Sequence, residues 1–300
     1  MSVVTASRYN AIQTKVANVL GTGSSDKGYG TSVTSAQVGA GDTINATHIA
    51  NLYTDINKCI LHQTGSATSA IVSPESGDLV VENDGTTKKG WAQYEAESLA
   101  SETNRLTWSA GNFATATEIT ENRTSAWGST VDSINTTFTV SYASADLKRN
   151  FFNAGGEVRL ALSLASGTGS KGTSWASLFS GAGTVKFGRT ATTCTGSGTT
   201  TSIGNVDMTG SAQTIFSKDV GSGVYGENDF AMTARDSSST LLEFVVTCNE
   251  DDSGDQTGTG AAVDEDVGGT TTLTVTSYYS NNASAVQHSR PTFAVTENFN

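Results

Sequence analysis

The residues best suited to chemistry form one acidic run late in the sequence. Seven carboxylates lie between Glu250 and Asp266, interspersed with glycine and without any Lys or Arg. Hard oxygen ligands of this kind are what Ca²⁺ requires, so the run predicts a calcium-binding loop. The predicted ligands are Asp251, Asp252, Asp255 and Asp264. The run is not an EF-hand loop, because Ala262 stands at position 12 counted from Asp251. The alternative, which we favour for any isolated charge run, is a solvated loop between two strands.

A glycine pattern at Gly167–Gly172 spells G-x-G-x-x-G after a predicted strand. A dinucleotide site would also need an acidic residue about 20 positions further on, and the chain has none from Ser170 to Asn205. A P-loop would need Lys where Thr173 follows Gly172. We therefore interpret the pattern as a flexible turn and predict no cofactor-binding residues.

The histidines and cysteines do not form a recognisable catalytic or metal-binding set. His48 and His62 are too far apart for an i, i+4 metal pair, and no Ser or Cys stands in a nucleophile-elbow context. The three cysteines, Cys59, Cys194 and Cys248, are widely separated. We expect packed histidines, reduced and mostly buried thiols, no disulfide framework, no zinc and no catalytic residues.

The charge and the apolar pattern of the sequence argue against two classes of partner, nucleic acid and membrane. The 300 residues carry 17 basic and 29 acidic side chains, a net charge of -12, and outside the acidic run 22 acids against 17 bases leave -5. A phosphate-binding surface needs clustered Lys and Arg, which this chain lacks, so we expect no nucleic acid. A membrane span needs ~20 apolar residues in a row, and none is present, so we expect no membrane partner.

The N-terminal part of the chain has helical periodicity. A first helix should start after the cap residue Thr5 and end at Gly21, a second should run from Asn45 to Gly65, and a third from about 91 to 106. A two-helix hairpin has little core of its own, so its apolar stripe must be buried against another domain or another copy. The predicted interface residues are Ile49, Leu52, Tyr53, Ile56 and Ile60.

From about residue 134 the apolar period changes from helical to two, which is typical of half-buried strands. Besides segments around Phe138–Tyr142 and Val158–Leu164, the strand candidates are 184–188, 213–218, 229–236, 240–248, 271–279 and 292–297. Many short strands joined by Gly- and Ser-rich turns favour an antiparallel β-sandwich. The predicted class is therefore α+β, with a helical attachment or oligomerisation region at 1–106 and a β-sandwich domain at 107–300.

Four stretches resemble virion structural proteins of T4-like marine cyanophages and related tailed phages. They lie at Ser7–Asn10 and Asn45–Ile56, at Phe138–Leu164 with its Phe-Phe-Asn-Ala-Gly-Gly-Glu run, and at Asn249–Gly269. The resemblance implies a non-enzymatic part of the particle, in the tail, neck, baseplate or fibre. It also implies a homo-oligomer that contacts other phage virion proteins, located in the virion and assembled in the cytoplasm of the bacterial host.

Three other functions stay open at this point. One is capsid decoration. Another is a carbohydrate-binding module for host surface polysaccharide, which would need a groove lined by coplanar aromatic rings. The candidate rings are Trp127, Trp175, Tyr225 and Tyr278. The third is a depolymerase, which would need two carboxyl groups about 5–9.5 Å apart in a cleft.

Overall fold

A computed structural model describes residues 4–75, 77–78, 81–83, 90–128, 133–251 and 266–299. The fold is α+β, as the sequence predicts, and these residues contain five α-helices and eleven strands. The chain forms two compact units. Unit 1 comprises Met1–Ala114, Asp146–Gly156 and Tyr279–Ser289. Unit 2 comprises Thr115–Ala145, Glu157–Tyr278 and Arg290–Asn300.

The first two helices of unit 1 begin and end at the residues that the sequence predicts, and the third ends slightly earlier. The helices are α1 (Ala6–Leu20), α2 (Ala46–Thr64), α3 (Trp91–Thr103) and, apart from its first residue, α4 (Ala145–Asn153). Thr5 caps α1 by accepting a hydrogen bond from the backbone N–H of Arg8 at 3.3 Å. Gly65 ends α2 in the left-handed region at φ 82°, which glycine adopts without steric cost. In the described part of the chain, no helix has both the length and the apolar character needed to cross a bilayer.

The apolar stripe of α2 lies inside unit 1. Ile49, Leu52, Ile56 and Ile60 are buried, and Tyr53 is half-buried against the same cluster. The cluster is completed by residues from α1, from α3 and from two later segments of the chain. These partners include Tyr9, Ile12, Val16, Trp91, Tyr94, Ala154 and Val286. The prediction that this stripe contacts another copy is therefore wrong, because α3 and the later segments cover it within one protomer.

Unit 1 is also not limited to the predicted 1–106 region. The segments 146–156 and 279–289 belong to it, since Ala154 and Val286 are part of its apolar core. In addition, the side-chain amide of Asn153 donates to the backbone carbonyls of Ser25 and Lys27, each at 3.1 Å. These links fix the Gly-rich connector between α1 and α2, which the sequence suggests only as a loop.

Unit 2 contains two antiparallel sheets. The five-stranded sheet has the order β1-β10-β3-β4-β5 and the six-stranded sheet the order β11-β2-β9-β8-β7-β6. The strands are β1 (Phe113–Arg123), β2 (Ser133–Ser141), β3 (Glu157–Ala165), β4 (Val185–Phe187), β5 (Thr192–Cys194), β6 (Thr199–Thr200), β7 (Gln213–Asp219), β8 (Asp229–Ser238), β9 (Leu241–Asn249), β10 (Thr270–Ser280) and β11 (Thr292–Glu297). The inner faces meet through aromatic rings. The Phe187 ring on β4 lies edge-on to the Phe244 ring on β9, with centroids 5.2 Å apart. This pairing makes the two sheets a sandwich.

A fifth helix, α5 (Gly169–Ala182), follows β3 and packs against the sandwich. It corrects one prediction: the G-x-G-x-x-G pattern is not a flexible turn but the short link after β3 followed by the first turn of α5. Its apolar face carries Trp175 and Phe179, whose rings lie 5.4 Å apart, and the Phe179 ring contacts Phe230 of β8. The helix therefore forms because its apolar face is covered by the sheet, despite two glycines in its first turns.

Candidate functional site

Acidic side chains gather at one end of the six-stranded sheet. In the antiparallel register, Asp219 of β7 stands directly opposite Asp229 of β8, and Asp229 stands opposite Asn249 of β9. Asp251 follows two residues after Asn249. Directly opposed residues have Cβ atoms about 4.5–5.5 Å apart, so the register alone brings these groups together. We call Asp219, Asp229, Asn249 and Asp251 the carboxylate end.

The carboxylate end disfavours negative charge on Asp229. Burial raises the pKa of Asp229, and the charges of Asp251 and Asp219 raise it further. The side-chain amide of Asn249 acts in the opposite direction, since it donates to both carboxylate oxygens of Asp229 at 3.2 and 3.3 Å. The arrangement is an electrostatically unfavourable cluster of acids, in which a proton or a cation would relieve repulsion.

Only one of the four predicted calcium ligands lies within the described residues. Asp251 is exposed, and its backbone N–H donates to the Asn228 side-chain oxygen at 3.1 Å. Asp252, Asp255 and Asp264 lie outside the described residues. Among the residues that the structure describes, no group of three or more His, Cys, Asp or Glu side chains is arranged to hold a metal ion. The calcium loop therefore stays a prediction from the sequence.

We expect the thermal midpoint of unfolding to rise in millimolar CaCl₂ if the acidic run binds Ca²⁺, because a ligand that binds only the folded state stabilises it. Asp252→Asn or Asp255→Asn should remove the rise, whereas Glu121→Gln on β1 should leave it intact. Scanning calorimetry with and without Ca²⁺, and with Mg²⁺ as the ionic control, measures the effect. An unchanged midpoint in Ca²⁺ contradicts the prediction.

A second prediction concerns the opposed carboxylates. Asp219→Asn should lower the pKa of Asp229 and stabilise the fold near neutral pH by about 0.2–1 kcal/mol, because like charges directly opposite each other destabilise a strand pair. A carboxyl-detected NMR titration of Asp229 and urea unfolding at pH 7 provide the two measurements. Asp219→Glu keeps the charge and is the control. A titration midpoint of Asp229 that is the same in both variants would show that Asp219 does not act on it.

A buried ion pair lies next to the carboxylate end. Lys171, in the first turn of α5, places its Nζ 3.2 Å from Oε1 of Glu250, the residue that follows β9. The same Nζ donates to the backbone carbonyl of Gly128 at 2.8 Å. The two side chains are 0% and 3% exposed. Since a buried charge needs a partner, this pair fixes the chain at the first residue of the acidic run.

A small cavity of about 190 Å³ opens beside Asp219. Its walls come from one side of α5 and from the end of β7 with the residue that follows. They are Ser174, Ser177, Leu178, Gly181, Lys218, Asp219 and Val220. The hydroxyl groups and the two opposite charges suit water or a small polar molecule.

Three of the four candidate aromatic rings are not available to line a groove. Trp127 and Trp175 are 1% and 0% exposed, and their rings pack together with centroids 4.7 Å apart. The ring of Tyr278 is covered by the guanidinium group of Arg159, 3.6 Å from its centroid. The predicted groove of these four rings is therefore wrong, because two of them belong to the core and a third is already stacked. A host polysaccharide as partner stays a prediction from the sequence.

All three histidines of the chain have structural roles, as the sequence suggests. His48 completes the cap of α2 by accepting a hydrogen bond at Nδ1 from the backbone N–H of Asn45 at 3.2 Å. His62 is buried with its Nε2 3.1 Å from the carbonyl oxygen of Ala154, and His288 contacts the carbonyl oxygen of Tyr29 through Nε2. Burial lowers the pKa of His62 to about 4 and also lowers the pKa of His288.

The thiols of Cys59 and Cys248 are fully buried, and burial raises the pKa of each well above its usual value. Thiolate is the reactive form of cysteine, so these two side chains are inert in the folded protein. Cys194 is half-buried on β5, and all three cysteines are free.

Sequence reasoning missed the opposed pair of Asp219 and Asp229. Asp229 begins the predicted segment 229–236 and Asp219 follows the predicted segment 213–218, but apolar periodicity does not show which residues face each other. Comparison of the chain with protein families, with curated proteins and with solved structures found no match.

Proposed function

We propose that the protein is a non-enzymatic structural component of a tailed-phage virion. We place it in a tail-, neck- or baseplate-associated appendage built as a homo-oligomer. The resemblance of its sequence to virion proteins of T4-like cyanophages motivates this assignment. Its partners would be other copies of itself and other virion proteins.

One observation carries the non-enzymatic part of the proposal. The side chains that most often do chemistry in proteins are used here to hold the fold: His48 caps a helix, His62 is buried against a backbone carbonyl, His288 is half-buried against another, and Lys171 is buried against Glu250. Groups with such partners are not available to a substrate. A protein whose reactive groups serve its own stability suits a scaffold.

Particle fractionation tests the proposal. Virions of a phage that encodes this chain are purified on a density gradient, washed in high salt and analysed by quantitative mass spectrometry. We expect the protein to band with the particles at a fixed ratio to the major capsid protein, while a replication protein of the same phage is removed. Recovery only in the soluble fraction of the lysate would overturn the virion assignment.

Immunogold labelling of the same particles tests the position. Gold at the tail, neck or baseplate is the expected result. Gold distributed over the head would instead support capsid decoration and would overturn the appendage assignment.

A further inference from the structure

Strand β11 forms an open edge of the six-stranded sheet. It is the terminal strand in the sheet order and pairs on one side only, antiparallel to β2. In such a strand every second residue directs its backbone N–H and C=O away from the sheet. An edge of this kind is a template for another strand unless it is protected.

Strand β11 has few of the features that protect an edge strand from pairing with another strand. Its sequence, Thr-Phe-Ala-Val-Thr-Glu, has no Lys, no Pro and no charge before Glu297. The register shift against β2 falls between Val295 and Glu297, so the part from Thr292 to Val295 pairs regularly. The other described terminal strands differ from it. Strand β1 carries Glu118, Glu121 and Arg123, and β5 and β6 are only three and two residues long.

Two apolar side chains of β11 are incompletely covered. Phe293 stands opposite Val140, and Val295 stands opposite Phe138. Val140 and Phe138 are fully buried, so Phe293 and Val295 lie on the core side of the sheet, yet both are only half-buried. A cavity of about 450 Å³ lies beside Phe293, lined also by Glu118, Arg290, Pro291 and Thr292. The half-buried Phe293 and Val295 leave apolar surface that one more strand would cover.

The residues of β11 are complementary to a reversed copy of the same strand. An antiparallel pair centred on Ala294 places Phe293 opposite Val295 of the second copy and Thr292 opposite Thr296, with each contact made twice. Aromatic–β-branched and Thr–Thr pairs are the cross-strand combinations that stabilise sheets. No like charges meet in this register. A twofold axis through Ala294 keeps Phe293 and Val295 of both copies on the same face, as a continuous sheet requires.

We propose that two copies of this protein associate through β11, antiparallel and centred on Ala294. The pairing joins the two six-stranded sheets into one continuous sheet. It covers Phe293 and Val295 of both copies and satisfies the open backbone groups. This contact would be the one through which the proposed homo-oligomer forms. The inference rests on the proposed function only in assuming that the protein is an oligomer.

Disulfide trapping tests the register. In the full-length chain with Cys194→Ser, we compare Ala294→Cys with Thr292→Cys, both at exposed positions of β11. In the Ala294→Cys protein the introduced thiols of the two copies would be directly opposite, within the Cα separation that a disulfide accepts. In the Thr292→Cys protein the two introduced thiols would lie about 13 Å apart along the strand, too far to bond.

After mild oxidation we expect most of the Ala294→Cys protein to run as a covalent dimer on a non-reducing gel, and the Thr292→Cys protein to stay monomeric. Equal cross-linking of both variants, or none in either, would overturn the proposed register.

Charged substitutions on β11 test the proposed contact between the two copies without introducing cysteine. The double variant Thr292→Lys/Thr296→Lys places lysines opposite each other twice, whereas Thr292→Lys/Thr296→Glu places opposite charges there. We expect the dimer of the first to be about tenfold weaker than that of the second by mass photometry at micromolar concentration. Circular dichroism confirms that both variants fold.

The outcomes separate this inference from the proposed function. Equal dimer affinities in the two charge variants overturn pairing through β11, even if the protein bands with virions. Absence from virions together with specific cross-linking of the Ala294→Cys variant overturns the virion assignment and leaves the β11 contact standing.

Discussion

Lys171→Met lowers the free energy of unfolding by about 3–5 kcal/mol, the largest effect that we expect from a single substitution in unit 2. The reason is that the substitution leaves the Glu250 carboxylate buried without its cationic partner, since the two side chains are 0% and 3% exposed. It also removes the donor that binds the carbonyl of Gly128. Equilibrium unfolding in urea at pH 7 measures the loss.

Two further variants show whether the loss comes from the buried charge. The double substitution Lys171→Met/Glu250→Leu should recover most of the stability, because an apolar pair of similar volume replaces a buried ion pair at little net cost. Arg235→Met breaks the pair between Arg235 and Glu243, whose side chains are 43% and 20% exposed, and should cost less than about 1 kcal/mol. If Lys171→Met costs no more than Arg235→Met, the buried pair does not stabilise unit 2.

Acidification from pH 7 to 5 destabilises unit 1 through His62, which is buried. In the folded state the pKa of His62 is held at about 4 by burial, while in the unfolded chain it is about 6.5. The unfolded state therefore binds a proton that the folded state excludes. The stabilisation is complete above about pH 6.5 and is lost as the pH falls toward 4.

The expected loss from His62 is about 2 kcal/mol between pH 7 and 5, and about 3 kcal/mol by pH 4. His288 adds to it, since burial lowers its pKa as well. Urea unfolding at a series of pH values, followed by the near-ultraviolet signal of Trp91 and the other aromatic residues, measures the dependence.

The control is His62→Gln, whose side-chain amide can still donate to the carbonyl of Ala154 but does not titrate. We expect this variant to be less stable than the wild type at pH 7 and to lose less stability between pH 7 and 5. A pH dependence that is identical in both proteins would show that His62 is not the source.

The elements that local signals specify were predictable from the sequence. Helices α1 and α2 start at the cap residues Thr5 and Asn45 and end at glycines, and their apolar periodicity is regular. Most strands of unit 2 show the alternation of a half-buried sheet, as in β9. Strand β1 was not predictable because it lies at a sheet edge and has only Ile119 buried, so its Thr and Glu residues show no apolar period.

Properties that depend on distant parts of the chain were not predictable. The sequence predicts that the apolar stripe of α2 is an interface, because some residues that cover it, such as Ala154 and Val286, lie far from it along the chain. The opposition of Asp219 and Asp229 depends on strand register, which periodicity does not give. The four predicted calcium ligands were chosen from composition alone, and the structure describes only one of them, Asp251.

The discontinuous make-up of unit 1 affects how the protein can fold during synthesis. Its three long helices end at Thr103, but the segment 279–289, with Val286 in the core, follows much later. The ribosome must add 186 residues between Thr103 and Ser289, which takes roughly 10–40 s at about 5–20 residues per second. During that interval the apolar faces of the first helices lack part of their cover. The N-terminal unit, although made first, is therefore completed only after nearly all of unit 2 has been translated.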